Sequence, residues 1–123
     1  MNTIRFGRVQ MRIMQVLWEK ERATSQEITG ELNEYEPIVF KNVQTLLREL
    51  EKKGAIAHEV VNRTYYYYPR VTDEKVKKKL VRDFIDRLFG GSSASLLSSI
   101  IKDRSIPPEE MKKISEMLKK KDK

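Results

Sequence analysis

FKNVQTLLRELEKKGAIAHEVVNRTYYYYP, residues 40–69, changes its periodicity halfway along. Up to Gly54 the apolar residues Val43, Leu46, Leu47 and Leu50 recur at helical spacing. Gly54 is the residue type favoured just past a helix end, so the spacing predicts a helix over FKNVQTLLRELEKKG. Beyond it, two β-prone runs flank Val61, Asn62 and Arg63, which reads as a hairpin. Pro69 cannot donate to a ladder and closes the second strand.

Upstream, RVQMRIMQVLWEK (8–20) aligns Val9, Ile13, Val16 and Leu17 on one stripe, with Met14 and Trp18 beside it. TSQEITGELN (24–33) opens with Thr24 and Ser25 before Glu27, a capping-box pattern, and reads as a short second helix. YEPIV (35–39) holds Pro37 and marks a loop. Three helices followed by a two-stranded hairpin are the order of a winged helix-turn-helix, a module that places its second helix-turn-helix element in the DNA major groove.

Downstream the pattern is helical. TDEKVKKKLVRDFIDRLF (72–89) repeats Val76, Leu80, Phe84 and Leu88 every four residues, with Val81 and Ile85 alongside. Gly90–Gly91 breaks the chain, and a segment with Leu96, Leu97, Ile100 and Ile101 follows. PPEEMKKISEMLKK (107–120) starts on prolines suited to a first helical turn and aligns Met111, Ile114, Met117 and Leu118. The closing KKKDK reads as a frayed tail. These stripes are too large to leave in water, and a second copy of the chain is the favoured cover, ahead of fold-back on the first part. The expected class is mainly α with a small β hairpin, in two parts. Residues 1–71 form a winged-helix domain and residues 72–123 a helical dimerisation domain. The pairing residues are Leu80, Phe84, Leu88, Leu96, Leu97, Ile100, Met111, Ile114 and Leu118.

Composition excludes several functions. Without cysteine there is no disulfide, thiolate metal site or cysteine nucleophile, and His58 is the one histidine. No catalytic constellation or glycine-rich phosphate loop is present, so neither an enzyme nor a cofactor is expected. No apolar run approaches the roughly 18 residues of a membrane span, and no secretory signal opens the chain, which predicts a cytoplasmic protein without membrane insertion. The net charge of +7 favours a polyanionic partner. Residues 1–69 hold ten Lys/Arg against nine Asp/Glu, so net charge alone does not place a DNA-binding face there.

Specific side chains do. On a wheel with Lys41 at zero, Val43, Leu46, Leu47 and Leu50 fall between about 140° and 240°. Lys41, Gln44, Thr45, Arg48 and Lys52 fall on the opposite arc, which contains no acid. Glu49 and Glu51 lie at its flanks, and Asn42 sits at its margin. Arg and Lys suit guanine, Gln and Asn suit adenine, and the Thr methyl suits thymine. An ordinary solvated face has a similar composition, and a winged helix that binds protein is the alternative reading. Thr24 and Ser25 are candidates to meet phosphate at a helix N-terminus or simply to cap it. Arg63 at the hairpin tip is a candidate for phosphate or the minor groove. His58 reads as a structural strand residue and Trp18 as core.

The same residues resemble a known family, the penicillinase and methicillin repressors. KNVQTLLRELEKKG is similar to its recognition helix, the hairpin with alternating aromatics ending in Pro to its wing, VLWEK (16–20) to its first helix, and FIDRLFGGSSASLL (84–97) to its dimerisation segment. The resemblance covers roughly residues 5–118. It implies a homodimeric repressor on a palindromic double-stranded operator. Base contacts are implied for Lys41, Asn42, Gln44 and Thr45, with Arg48 and Arg63 near phosphates. Asn42 departs from the usual Thr, Glu49 stands where a basic residue is common, and Asn62 replaces the wing Gly. The resemblance also implies a membrane metallopeptidase sensor that cuts the dimerisation segment. The matching positions here are Ser99 and Ile100, which depart from the family's Asn-Phe. The cysteine cluster of a copper-responsive branch is absent.

Four tyrosines in a row, Tyr65 to Tyr68, alternate faces of the strand. Tyr65 and Tyr67 are expected to face the helices near Ile56, and Tyr66 and Tyr68 to lie on the more exposed side.

Overall fold

The computed structural model describes residues 5–121. Its order is α1 (Arg8–Lys20), α2 (Ser25–Asn33), α3 (Phe40–Lys52), β1 (Ile56–Val61), β2 (Thr64–Pro69), α4 (Asp73–Leu88), α5 (Ser93–Lys102) and α6 (Pro108–Lys121). The chain divides into two compact units between Lys77 and Lys78, inside α4.

The first unit is a winged helix. Ile13, Met14 and Leu17 of α1 meet Ile28 and Leu32 of α2, Val43, Leu47 and Leu50 of α3, and Ile56 and Tyr67 of the hairpin in one buried cluster. Burying each large aliphatic side chain contributes about 1.5–3 kcal/mol, so this stripe-to-stripe contact is the main force orienting α3. Trp18 packs half-buried against the cluster, and its indole Nε1–H donates to the carbonyl of Val71 at 2.8 Å.

Local chemistry sets the ends of the helices. Thr24 Oγ1 accepts from the Glu27 amide at 3.1 Å, and the Glu27 carboxylate accepts from the Thr24 amide at 2.8 Å. That reciprocal box starts α2. After Lys53, Gly54 turns left-handed at φ 84°, while its amide reaches Glu51 O and that of Ala55 reaches Leu50 O, both at 3.0 Å. This is the Schellman closure that only a residue without Cβ makes at low cost. Between α2 and α3, the Asn33 side chain stands in for backbone. Its Nδ2 donates to Thr29 O at 2.8 Å and Ile38 O at 3.0 Å, and its Oδ1 accepts from the Ile38 amide at 3.2 Å.

The hairpin is antiparallel, pairing Ile56 with Pro69, His58 with Tyr67 and Val60 with Tyr65. Val61 belongs to β1, so the turn is shorter than the three residues read from the sequence. It consists of Asn62 and Arg63 alone, with φ of 50° and 68°. Two consecutive positive φ values define a type I′ turn, whose twist matches that of the strands it joins. At the base, Ala23 exchanges two backbone bonds with Tyr67, at 3.0 and 2.8 Å. This bridge ties the entry to α2 to the second strand.

The four tyrosines follow the alternation, with one departure. Tyr67 is buried, Tyr66 and Tyr68 are half-buried, and Tyr65 is 49% exposed. Tyr65 does share the inner face with Tyr67, but it lies two residues nearer the tip, beyond the reach of the helices. Its cover is the ring of His58 instead.

In the second unit α4 ends at Gly90 and Gly91, both left-handed at φ 57° and 85°. Ser92 then caps α5 by accepting from the Ser95 amide at 3.1 Å. α6 continues to Lys121, so the closing lysines begin as helix, and residues 122–123 lie outside the described range. Among the described residues, Ile85 is the one buried apolar side chain of this unit.

Candidate nucleic-acid interface

The outward arc of α3 is as the wheel places it. Lys41, Asn42, Thr45, Arg48 and Lys52 are exposed and Gln44 is half-buried. Among the described residues, Lys41, Arg48, Lys52 and Arg63 form no ion pair. The Thr45 hydroxyl donates back to Lys41 O at 3.2 Å.

An open cleft of about 500 Å³ runs between α3, the start of α2 and the wing. It brings together five of the residues singled out from the sequence: Thr24, Ser25, Gln44, Arg48 and Arg63. Lys41, Asn42, Thr45 and Lys52 lie on α3 outside it. Gln26, Phe40, Thr64, Tyr65 and Tyr67 complete its walls, and sequence reading did not include them among the site residues. The signal for the tyrosines was the two-residue alternation of the strand. No pattern marks Gln26 or Phe40, which line the cleft from the first turns of α2 and α3; the Ala23–Tyr67 bridge ties β2 to the entry of α2.

Electrostatics favours an anion on this side. The Glu59 carboxylate is held by Arg22 at 2.6 Å on the far face of the hairpin. Glu36 is held by the guanidinium of Arg8. Glu49 flanks the α3 arc, where a carboxylate free to face DNA would oppose phosphate attraction. Instead it turns toward α1, where its carboxylate accepts from Nε2 of the buried Gln10 at 2.9 Å. Thr24 spends its hydroxyl on capping. Burial, with the Glu51 charge adding to it, raises the Tyr67 phenol above its ordinary range, and a hydrogen bond with Ser25 opposes that shift.

The pairing candidates are distributed over all three later helices. Leu80, Phe84, Leu88 and Leu118 are exposed, and Leu96, Leu97, Ile100, Met111 and Ile114 are half-buried. Ser99 and Ile100 sit in the helical backbone of α5. Among the described residues, no group of three or more His, Cys, Asp or Glu could hold a metal, and no helix is long and apolar enough to cross a membrane.

Comparison with known proteins agrees with this architecture. A staphylococcal penicillinase repressor (Staphylococcus aureus) is 26% identical over 106 residues, which is 86% of this chain and 84% of the relative. The methicillin resistance regulatory protein MecI of S. aureus is 25% identical over 119 residues, 97% of each chain. Among solved structures, Bacillus licheniformis BlaI, in monomeric form with the blaP half-operator, superposes with a TM-score of 0.51 at 27% identity. That match covers 58% of this chain and 87% of BlaI. The family profile described as penicillinase repressor matches residues 6–120. With all but the ends of the sequence inside that match, the chain belongs to the penicillinase repressor family.

Proposed function

We propose that this chain is a cytoplasmic transcriptional repressor that pairs as a homodimer on a palindromic operator, with α3 in the major groove. Residues 1–71 read DNA, and residues 72–123 join two readers. The observation that carries this reading is the arc of Lys41, Thr45, Arg48 and Lys52. It is free of acid and, among the described residues, of ion pairs, and its Arg48 shares the cleft with Arg63 of the wing. The width of such an arc suits a major groove, while the cleft beside it suits a sugar–phosphate strand. BlaI in complex with the blaP half-operator supports DNA as the partner of this chain. The names of the relatives point to antibiotic-resistance genes as the regulated class.

Pairing is supported by what α4 and α6 leave uncovered. Phe84 and Leu88 are 47% and 65% exposed, and Met117 and Leu118 are 65% and 45% exposed. Relief of repression by a membrane metallopeptidase at Ser99–Ile100 requires α5 to unwind first, since proteases take extended substrate.

The test is a fluorescence anisotropy titration with duplexes enriched from a random pool by the wild-type protein. Replacing Lys41 and Arg48 with Ala should weaken binding strongly while the dimer persists in sedimentation. Binding should also fall steeply with salt, by about one unit of log–log slope per phosphate contact. A complex indifferent to salt would instead identify a protein-binding module.

A further inference from the structure

Glu51 is an acid on the cleft side of α3, three residues from Arg48, where its charge opposes phosphate attraction. Its carboxylate is engaged. The Nδ1 of His58, on β1, lies 2.7 and 2.9 Å from its two oxygens. A carboxylate only accepts, so Nδ1 carries the proton. The His58 ring then stacks on Tyr65 of β2, with centroids 4.3 Å apart and planes 8° from parallel. Tyr65 is two residues from Arg63 at the tip. One line of contact therefore runs from the helix that presents Arg48, through Glu51, His58 and Tyr65, to the turn that presents Arg63.

The rest of the wing is held mainly at its base, by the Ala23–Tyr67 bridge and buried Ile56. Toward the tip Val60, Val61 and Tyr65 are 55%, 40% and 49% exposed. An isolated two-stranded hairpin is marginal in water, so the outer half needs an added hold. The opposite face has one in the Arg22 guanidinium, which pairs with Glu59 and lies 4.6 Å over the Tyr66 ring. That hold reaches the α1–α2 turn. On the inner face, Glu51 holds His58, which pairs with Tyr67 near the base, and the His58 ring carries that hold outward to Tyr65.

We propose that Glu51 and His58 are a positioning pair that fixes the wing against α3, and so sets the spacing at which Arg48 and Arg63 meet a DNA strand. This rests on the DNA-binding reading above. It makes a prediction opposite in sign to simple electrostatics. Removing an acid beside Arg48 should tighten DNA binding if only its charge matters. If Glu51 positions the wing, Glu51→Ala should weaken it, by about tenfold for one charge-assisted hydrogen bond.

The experiment uses the full chain and duplexes enriched by the wild type. Glu51→Ala and His58→Ala should each lose about tenfold in affinity, and the double variant no more than either. Glu51→Gln, whose amide oxygen still accepts from Nδ1–H, should bind as tightly as wild type or tighter. The salt slope should not change, because no phosphate contact is removed. Without DNA, the His58 ring protons should show an upfield shift from the stacked Tyr65 that shrinks in Glu51→Ala. Glu51→Ala binding as well as wild type, or costs that add in the double variant, would overturn the inference. Failure of the wild type to enrich any duplex would instead remove the DNA-binding reading beneath it.

Discussion

Arg63 occupies a backbone position that suits glycine, and replacing it separates the cost of the turn from its use. The type I′ turn holds Asn62 at φ 50° and Arg63 at φ 68°. Asn visits the left-handed region readily. A residue such as Arg costs about 1–2 kcal/mol there, through the approach of Cβ to the following carbonyl oxygen. Arg63→Gly removes that cost. Against it stands the wider unfolded ensemble of glycine, about 0.5–1 kcal/mol. The balance is a stabilisation of about 0.5–1 kcal/mol, or a rise in Tm of about 2–8 °C for a unit of this size. Arg63→Ala keeps the Cβ and the strain, and should stay within about 0.5 kcal/mol of wild type.

Urea denaturation followed by Trp18 fluorescence reads this directly. Trp18 is the one tryptophan, and its bond to Val71 O places it in the unit that carries the wing. Both variants lose the guanidinium, so both should lower the salt slope of DNA binding by about 1. The expected pair of outcomes is a glycine variant more stable and less able to bind. If Arg63→Gly were no more stable than Arg63→Ala, the left-handed backbone at 63 would carry no cost. An unchanged salt slope in both would mean that Arg63 meets no phosphate. A local rule broken at Arg63, a proposed DNA contact on the wall of the cleft, fits a functional role for that position.

Three further outcomes follow from the structure. Asn33→Ala should lower stability by about 1–3 kcal/mol in the same urea assay, because two hydrogen bonds to Ile38 across the α2–α3 loop and one to Thr29 O within α2 are lost together. Tyr67 is held above its ordinary range by burial first and by the Glu51 charge second, so its neutral form favours the fold. That contribution is fully present below about pH 10 and is lost as pH rises through the raised value. Tyr67→Phe should therefore lose less stability than wild type on alkaline titration, and equal losses would refute the shift. Phe84 is 47% exposed with its ring edge-on to Phe89 at 5.7 Å, and Phe84→Glu should give a monomer in sedimentation velocity, where an unchanged dimer would contradict pairing through α4.

Much of this fold was legible because its signals are local. The stripe of Val9, Ile13, Val16 and Leu17 on α1, the Thr24–Glu27 box and Gly54 each act within one or two turns of helix. Each marks its element to within a residue or two. The tyrosine alternation was also local, and it placed Tyr67 inward. What it did not carry was how far the helical layer extends under the hairpin, and that distance leaves Tyr65 exposed. Asn33 was invisible for a different reason: its side chain replaces backbone bonds that exist only once the loop has closed. The cleft needs the Ala23–Tyr67 bridge, which joins residues 44 positions apart by main-chain atoms alone. No side-chain pattern records such a contact.

The two acids flanking the α3 arc show the same limit at the functional site. Glu49 and Glu51 differ by two residues, and a helical wheel sets them on opposite flanks, at about 80° and about 280° from Lys41. The wheel states an angle but not what occupies it. At the first angle stands α1, whose buried Gln10 takes the Glu49 carboxylate, while Lys53 Nζ donates to Gln10 Oε1 at 3.0 Å. At the second stands the wing, whose His58 takes Glu51. Each carboxylate is thus spent on a neighbouring element, one behind α3 and one beside it. The basic arc between them stays free of ion pairs, among the described residues, because its two acidic neighbours are engaged by Gln10 and His58 instead.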